Sequence, residues 1–236
     1  RFLADRYPPE RRAKVAYDAP FHDPAKWAEL AELGVLHALA PEEQGGFGGG
    51  GFEIAAVFTS LGRGLCPEPV LPALLAARLL GAAGQPLETI FDGSTLAAVA
   101  IGEPEAPYDP AEIVTEAHET PEGWRLTGRK SVVYGGQVAS RFLVAARHAG
   151  GLGLFEVAAE TAGVTGYGLI DGGGAAELFL DATPATLLLA DAAGAMDAAL
   201  DAGRLALCAE AVGAADTIYD ITLGYLRTRK QFGRPI

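Results

Sequence analysis

The longest uninterrupted pattern in the sequence is a helical one. The segment DAALDAGRLALCAEAVGAADTIYDITLGYLRTR, residues 197–229, runs for more than thirty residues without a proline. Such a length is typical of a helical bundle and exceeds that of an ordinary surface helix. Because a single helix cannot bury its own apolar stripe, the segment requires partner helices. We therefore predict that residues 191–236 form the first long helix of a C-terminal helical domain that continues beyond Ile236.

Two different patterns precede this helix. Residues 1–93 favour helices, and in one of them Asp23 is suited to the N-cap and Pro24 to the first helical position. Residues 94–190 contain short β-rich runs separated by Gly, Pro and Asp, which predict an antiparallel barrel or sandwich. Within them, residues 123–136 predict a hairpin around a Thr-Gly turn. The fold class is thus α+β with three domains: an N-terminal helical domain, a middle β-domain and the incomplete C-terminal helical domain.

Charge and cysteine usage narrow the class of protein. The chain has 30 Asp and Glu against 18 Lys and Arg, a net charge of −12, which argues against nucleic-acid binding. Charged residues interrupt the most apolar stretches, so no membrane span is expected. Cys66 and Cys208 lie far apart, which predicts two buried thiols in a reducing, cytoplasmic compartment. The four histidines are scattered without a second ligand at metal-binding spacing, so no metal site is expected.

One glycine-rich motif resembles a nucleotide-binding loop. GGFGGGG, residues 45–51, contains G-x-G-x-x-G. The dinucleotide fingerprint requires a strand before it and a helix after it within a βαβ unit. Here a helix and the turn-like APEEQ precede the glycines. We interpret the segment as a flexible loop.

The terminal segment YLRTRKQFGRPI, residues 225–236, contains residue types that are suited to ligand binding. On a helix, Tyr225 and Arg229 share a face, Phe232 follows three residues later, and Gly233 is expected to end the helix. A guanidinium beside an aromatic ring suits a diphosphate next to a flat ring system. The alternative is a solvated basic helix end that complements the helix dipole.

The order of motifs resembles a known family. The spacing Tyr-x-x-x-Arg-x-Gln-Phe-Gly-x-Pro-Ile is similar to a signature of the acyl-CoA dehydrogenase family, at the start of its C-terminal helical domain. Upstream, WAELAELGVLHALAPEEQGGFG, AIGEP…YDP and GWRLTGRKSVVYGG resemble, in the right order, segments of the same family. The resemblance covers essentially the whole chain and agrees with the helix–β–helix order.

The resemblance implies a flavin-dependent oxidoreductase. In this family FAD lies between the β-domain and the C-terminal helices, a Glu removes the α-proton of an acyl-CoA thioester, and the β-hydride passes to the flavin. Electrons then leave to an electron-transfer flavoprotein, and the protein is a homo- or hetero-oligomer arranged as a dimer of dimers. The residues carried over as cofactor-binding are, from the β-domain, Ile101, Gly102, Tyr108, Val132 and Tyr134, and, reaching across the dimer interface, Arg229, Gln231 and Phe232.

Several positions depart from the family pattern. Gly102 replaces a Thr that contacts the flavin, Val132 replaces a Trp that packs on its ring, and Tyr134 replaces a Thr. Tyr108 replaces a Ser in the loop near the flavin. The usual catalytic Glu would lie beyond Ile236, so no catalytic residue is assigned. In members that carry the base on the long helix it precedes an Arg, and Gly203 takes that place here.

Four functional hypotheses follow from this resemblance. The chain belongs to an ordinary FAD-dependent acyl-CoA dehydrogenase, or it is a subunit of a heteromeric one whose own flavin pocket is degenerate but which completes its partner's. It could instead be a non-catalytic relative that binds CoA esters or acts as a scaffold. A flavin monooxygenase on the same fold is a weaker fourth.

Overall fold

The computed structural model describes residues 2–107 and 109–236. Its N-terminal part is helical, as the sequence predicts. Its described residues form six α-helices, namely α1 (Phe2–Arg6), α2 (Pro9–Tyr17), α3 (Pro24–Glu32), α4 (Gly51–Gly64), α5 (Val70–Ala82) and α6 (Glu88–Phe91). Helix α3 begins where expected, because the Asp23 carboxylate accepts hydrogen bonds from the backbone N–H groups of Ala25 and Lys26. Its apolar face is buried.

The middle part is a seven-stranded sheet that closes on itself. Its strands are β1 (Ala97–Ala100), β2 (Glu116–Thr120), β3 (Gly123–Tyr134), β4 (Arg141–His148), β5 (Gly151–Ala158), β6 (Gly163–Gly168) and β7 (Gly174–Leu189). Pairing runs β4–β2–β3–β7–β5 and from β5 back to β4, while β1 joins β4 and β6 joins β7. The β-barrel class is confirmed, but the pairs of β4 with β1 and with β2 are parallel. The barrel encloses a core that includes Leu126, Phe142, Val144, Phe155 and Leu178.

The predicted hairpin of residues 123–136 is wrong. The segment is one continuous strand, β3, and the turn that precedes it connects β2 to β3. Thr127 and Gly128 form no turn, because both halves of β3 pair with the same long strand, β7. A shift in pairing register between Leu126 and Gly128 accommodates the pair as an irregularity within the strand. The turn-prone residues of β3 thus lie opposite a bulge of β7, where Asp181 and Ala182 together face Thr127.

The C-terminal part is one helix, α7 (Ala193–Thr228), of 36 residues. At 1.5 Å per residue its length is about 54 Å. Its first half packs on α4 and α5 through mostly small buried residues, and no described residue after Gly213 is buried. Ile218, Tyr219 and Ile221 are more than 60% exposed. The second half of α7 therefore has an apolar surface that the described residues leave uncovered. Among those residues, no helix is both long and apolar enough to cross a membrane.

Two glycines let α7 approach α4 closely. A methyl group on Gly213 would overlap the carbonyl oxygen of Thr59, and one on Gly62 would overlap that of Glu210. Backbones in such close contact leave no room for a side chain without moving a helix.

Substituting Ala for glycine on α7 should therefore have opposite effects at two positions. Gly213→Ala is expected to destabilise the protein by about 1–3 kcal/mol through overpacking. Gly224→Ala, where a methyl group would meet nothing within 4 Å, is expected to stabilise it by about 0.5–1 kcal/mol, because Ala is the better helix former. Chemical denaturation measures both, and an equal response of the two variants would contradict the close approach at Gly213.

Candidate functional site

A buried ion pair fixes the segment after β1 against β3. Lys130 Nζ lies 2.7 Å from Glu103 Oε1, and the two side chains are 0% and 1% exposed. The carboxylate also accepts hydrogen bonds from Thr115 Oγ1 (2.6 Å) and from the backbone N–H groups of Thr115 and Val114. Lys130 Nζ donates a second bond to the carbonyl oxygen of Ile101 (3.1 Å). Both charges are thereby satisfied in the protein interior.

Burial and hydrogen bonding shift the pKa values of Glu103 and Lys130 in opposite directions. Burial raises the pKa of Glu103, but the bonds from Lys130, Thr115 and Val114 outweigh it and hold that pKa below its usual range. Burial lowers the pKa of Lys130 to about 8, although Glu103 favours its charged form. The pair is structural, because both groups are enclosed and their partners are accounted for.

Four of the predicted cofactor residues lie on the two segments that this ion pair holds together, the one after β1 and strand β3. The backbone N–H of Ser131 donates to the carbonyl oxygen of Gly102 (2.9 Å), next to the contact between Lys130 and Ile101. Farther along β3, Val132 and Tyr134 are 43% and 49% exposed. These four residues form what we call the β-strip: Ile101, Gly102, Val132 and Tyr134. Tyr108, the fifth predicted residue of the β-domain, lies outside the described residues.

The β-strip fits a flavin only in part. Val132 and Tyr134 offer exposed apolar surface to a flat ring. Gly102 offers no hydroxyl, and a methyl group there would lie 3.2 Å from the carbonyl oxygen of Pro107 and 3.4 Å from that of Ser131. A Thr side chain at this position would thus require the loop to move. The strip supplies apolar contact, without the hydroxyl and the indole that the resemblance associates with these positions.

A residue that sequence reasoning missed supports the strip from β7. Glu177 accepts hydrogen bonds from Ser131 Oγ (3.0 Å), Tyr167 Oη (3.0 Å) and the backbone N–H of Val132 (3.3 Å). Arg129 Nη2 donates to its other oxygen (3.0 Å). A lone carboxylate within the otherwise apolar run AAELFL was the signal available in the sequence.

The terminal segment is exposed and lies apart from the β-strip. The predicted end of α7 at Gly233 is wrong: the helix ends at Thr228, and Arg229 is already extended. Two-residue strands β8 (Lys230–Gln231) and β9 (Arg234–Pro235) then pair as a hairpin. Phe232 and Gly233 form its turn with φ of +52° and +79°, a left-handed conformation that Gly at the second position favours. The chain leaves the helix to make this turn.

The predicted cofactor residues of the terminal segment contact little else. Phe232 is fully exposed, and Gln231 is exposed in β8. The guanidinium of Arg229 lies 5.3 Å from the centre of the Tyr225 ring, so these two side chains are in contact although Arg229 lies beyond the helix. Because Phe232 is fully exposed, it does not contact the β-strip of the same chain.

Among the cavities formed by the described residues, one borders the β-strip and another lies away from it. One of about 170 Å³ adjoins Tyr134 and is lined by residues that include Gln137, Leu207 and Glu210. Burial, assisted by Asp171, raises the pKa of Glu210. A larger one of about 1010 Å³ lies between α1, α4 and α7, and none of the predicted cofactor residues that the structure describes lines it.

The possible base position on α7 carries no acid. Gly203 is buried, and a methyl group there would lie 3.0 Å from Leu75 Cδ2. The small residue lets α7 pack against α5. Within the described residues the structure therefore supplies no carboxylate at this position.

One histidine and the two cysteines have different degrees of burial. His22 is buried and bonds the Glu68 carboxylate, which also accepts from Tyr7 Oη (2.6 Å). Burial raises the pKa of the half-buried Cys66 thiol to about 12. The prediction that both thiols are buried is wrong for Cys208, which lies on the outward face of α7. Among the described residues, no group of three or more His, Cys, Asp or Glu is arranged to bind a metal ion.

Comparison with known proteins gives consistent matches. Residues 1–87 match the profile described as "Acyl-CoA dehydrogenase, N-terminal domain" and residues 193–236 that described as "Acyl-CoA dehydrogenase, C-terminal domain". "Acyl-CoA dehydrogenase FadE27" of Mycobacterium tuberculosis is 34% identical over 215 residues, which cover 89% of this chain and 58% of the relative. "Acyl-CoA dehydrogenase IpdE2" of Mycolicibacterium smegmatis is 29% identical, with 99% and 64% covered.

Solved structures of similar proteins superpose on almost the whole chain. The "Tcur3481-Tcur3483 steroid ACAD G363A variant" superposes with a TM-score of 0.86 at 33% identity, covering 99% of this chain and 66% of that one. The "ChsE4-ChsE5 complex from Mycobacterium tuberculosis" superposes with a TM-score of 0.82 at 28% identity, again with 99% and 66% covered. The present chain spans about 60% of the length of the curated relatives it matches.

Proposed function

Because the chain belongs to the acyl-CoA dehydrogenase family, we propose that the whole protein oxidises an acyl-CoA thioester between its α and β carbons, with FAD as hydride acceptor. The observation that carries the proposal is the terminal segment. Its Arg229, Gln231 and Phe232 match the family signature and are exposed. A guanidinium can bind a diphosphate and an aromatic ring can pack on a flat cofactor, so this segment suits a dinucleotide outside its own chain.

The chain's own residues would have separate tasks in this reaction. Arg229 would neutralise the cofactor's diphosphate, and Phe232 would pack against a ring system. The β-strip would provide the apolar side of the flavin site and exclude water. Bound FAD supplies the hydride acceptor. The base that removes the α-proton is not assigned, since Gly203 carries no carboxylate.

A second candidate is supported by the β-strip itself. In this arrangement the chain is one subunit of a heteromeric acyl-CoA dehydrogenase and lends its terminal segment to the partner's flavin site. The absence of a hydroxyl at Gly102 and of an indole at position 132 favour it, because both weaken the chain's own half of a site. The ChsE4-ChsE5 similarity supports it further, since that structure is named as a complex of two proteins.

The proposed partners follow from the same reasoning. They are an acyl-CoA substrate, an electron-transfer flavoprotein as electron acceptor, and further subunits that form a dimer of dimers. The uncovered apolar surface on the second half of α7 favours association with further helices. We propose a cytoplasmic location on the cysteine usage described above.

Flavin stoichiometry tests both candidates. The full-length protein is purified alone and after co-expression with a neighbouring dehydrogenase gene product, and visible flavin absorbance is measured per chain. An ordinary dehydrogenase is expected to be yellow alone, with one FAD per chain. The heteromeric subunit is expected to be colourless alone and to contribute to flavin binding only in the complex. Absence of flavin in both preparations would contradict both candidates and favour a non-catalytic relative.

A further inference from the structure

A β-bulge shapes the exposed part of β3. Ser131 and Val132 on β3 together lie opposite Glu177 alone on β7, because the pairing register shifts between Lys130 and Val133. An extra residue of this kind interrupts the ladder, bends the strand and redirects side chains, and such bulges are frequent beside active sites. The bulge therefore decides how β3 presents Val132 to its surroundings.

Glu177 accepts hydrogen bonds from one backbone group of the bulge and from three side chains around it. One carboxylate oxygen accepts from the backbone N–H of Val132 and from the hydroxyls of Ser131 and Tyr167. The other accepts from Arg129. Since Tyr167 is on β6 and the rest are on β3, this side chain links the two strands that flank β7 at Glu177. It is 17% exposed.

The backbone at Val132 is strained. Its φ is +51°, in the left-handed region that β-branched residues rarely adopt. Such a conformation persists only where the surrounding structure imposes it, whereas Gly adopts it freely. The contact between the Val132 N–H and the Glu177 carboxylate is the interaction placed to impose it.

We propose that Glu177 is a positioning residue that holds Val132 in this bulge and thereby sets how β3 presents Val132 and Tyr134 to bound flavin. The part concerning flavin rests on the first proposed function. The coupling between Glu177 and the backbone of Val132 stands on the geometry alone.

A rescue experiment tests the proposal. Glu177→Gln, Val132→Gly and the double variant are made in the full-length protein with its flavin. Glu177→Gln is expected to weaken FAD binding about tenfold, the size of one lost charge-assisted hydrogen bond, and to change the flavin absorption band. Val132→Gly in the Glu177→Gln background is expected to restore most of the denaturation midpoint, because Gly adopts the bulge without support.

A matched control separates rescue from general stabilisation. Leu65 also has a left-handed backbone, with φ of +46°, at the end of α4. Leu65→Gly relieves comparable strain but lies outside the bulge, so it is expected to raise the denaturation midpoint by the same amount with and without Glu177→Gln, which is no specific rescue. Equal rescue by both glycines would overturn the proposal.

Two other outcomes are decisive. Strictly additive effects of Glu177→Gln and Val132→Gly on stability would overturn the coupling. A lower midpoint for Glu177→Gln with unchanged FAD affinity and spectrum would reduce Glu177 to a structural role and also overturn the proposal. If the unaltered protein binds no FAD, the first proposed function fails, and the stability cycle still decides whether Glu177 holds the bulge.

Discussion

Replacing Lys130 with methionine is expected to lower the free energy of unfolding by about 3–5 kcal/mol. Methionine keeps much of the length of the side chain but leaves the Glu103 carboxylate buried without its cation. The penalty for an unpaired buried charge exceeds the net contribution of the intact pair. Small domains are stable by only about 5–15 kcal/mol, so the loss would be a large fraction of the total. Chemical denaturation of the variant measures it.

Removing both charges should be less harmful than removing one. Lys130→Met combined with Glu103→Gln is expected to be more stable than Lys130→Met alone, because no buried charge remains unpaired. Arg63→Met is the control. It removes an exposed pair with Asp216 whose side chains are 60% and 48% exposed, and no measurable change is expected. Similar losses for Lys130→Met and Arg63→Met would contradict the enclosure of the pair.

The same pair has a defined pH dependence. Its hydrogen bonds hold the pKa of Glu103 below the unfolded value of 4.5. The unfolded chain therefore binds more protons near that pH, and the contribution of Glu103 to stability is complete above it. That contribution is lost as the pH falls through the folded pKa. Glu103→Gln is expected to remove this part of the acid dependence.

Local physical signals predicted the order of structures along the chain. The Asp23 cap, the Pro24 start and the long proline-free run at residues 197–229 each depend on residues close in sequence, and each is confirmed. The parallel pairing of β1 with β4 was not predictable from such signals. It joins Ala97 to Arg141, and alternation of apolar residues does not specify a distant partner.

In the candidate site, too, some features could be predicted from the sequence and others depended on contacts between distant residues. The resemblance indicated Ile101, Gly102, Val132 and Tyr134, but nothing in the local pattern indicated that two residues of β3 would face Glu177 alone. The supposed Thr-Gly turn in β3 and the supposed helix stop at Gly233 were wrong for a related reason. Glycine indicates that the backbone can be irregular at a position. The pairing of distant strands then decides whether the irregularity is a turn, a bulge or a hairpin tip.

The second large effect is expected at the terminal segment. Arg229→Ala should weaken FAD binding by the assembled protein about 10–100-fold, the range of a lost hydrogen bond to a charged group. Stability of this chain should be unaffected, because the Arg229 guanidinium contacts only the exposed Tyr225 ring among the described residues. Arg227→Ala is the control: it removes an exposed charge from the last turn of the same helix and lies outside the family signature. Equal losses from both variants would show a general charge effect and contradict the role of Arg229.

Comparing Arg229→Ala with Tyr134→Ala separates the two candidate functions. If each chain binds FAD on its own β-strip and receives the terminal segment of a like neighbour, both changes should lower the flavin content. If the chain is the subunit that only completes its partner's site, Arg229→Ala should lower the flavin content of the complex while Tyr134→Ala leaves it unchanged. Absorbance of the purified assembly measures both. Flavin content that falls with Tyr134→Ala alone would contradict the donated terminal segment in either arrangement, since its residues could then be removed without loss of cofactor.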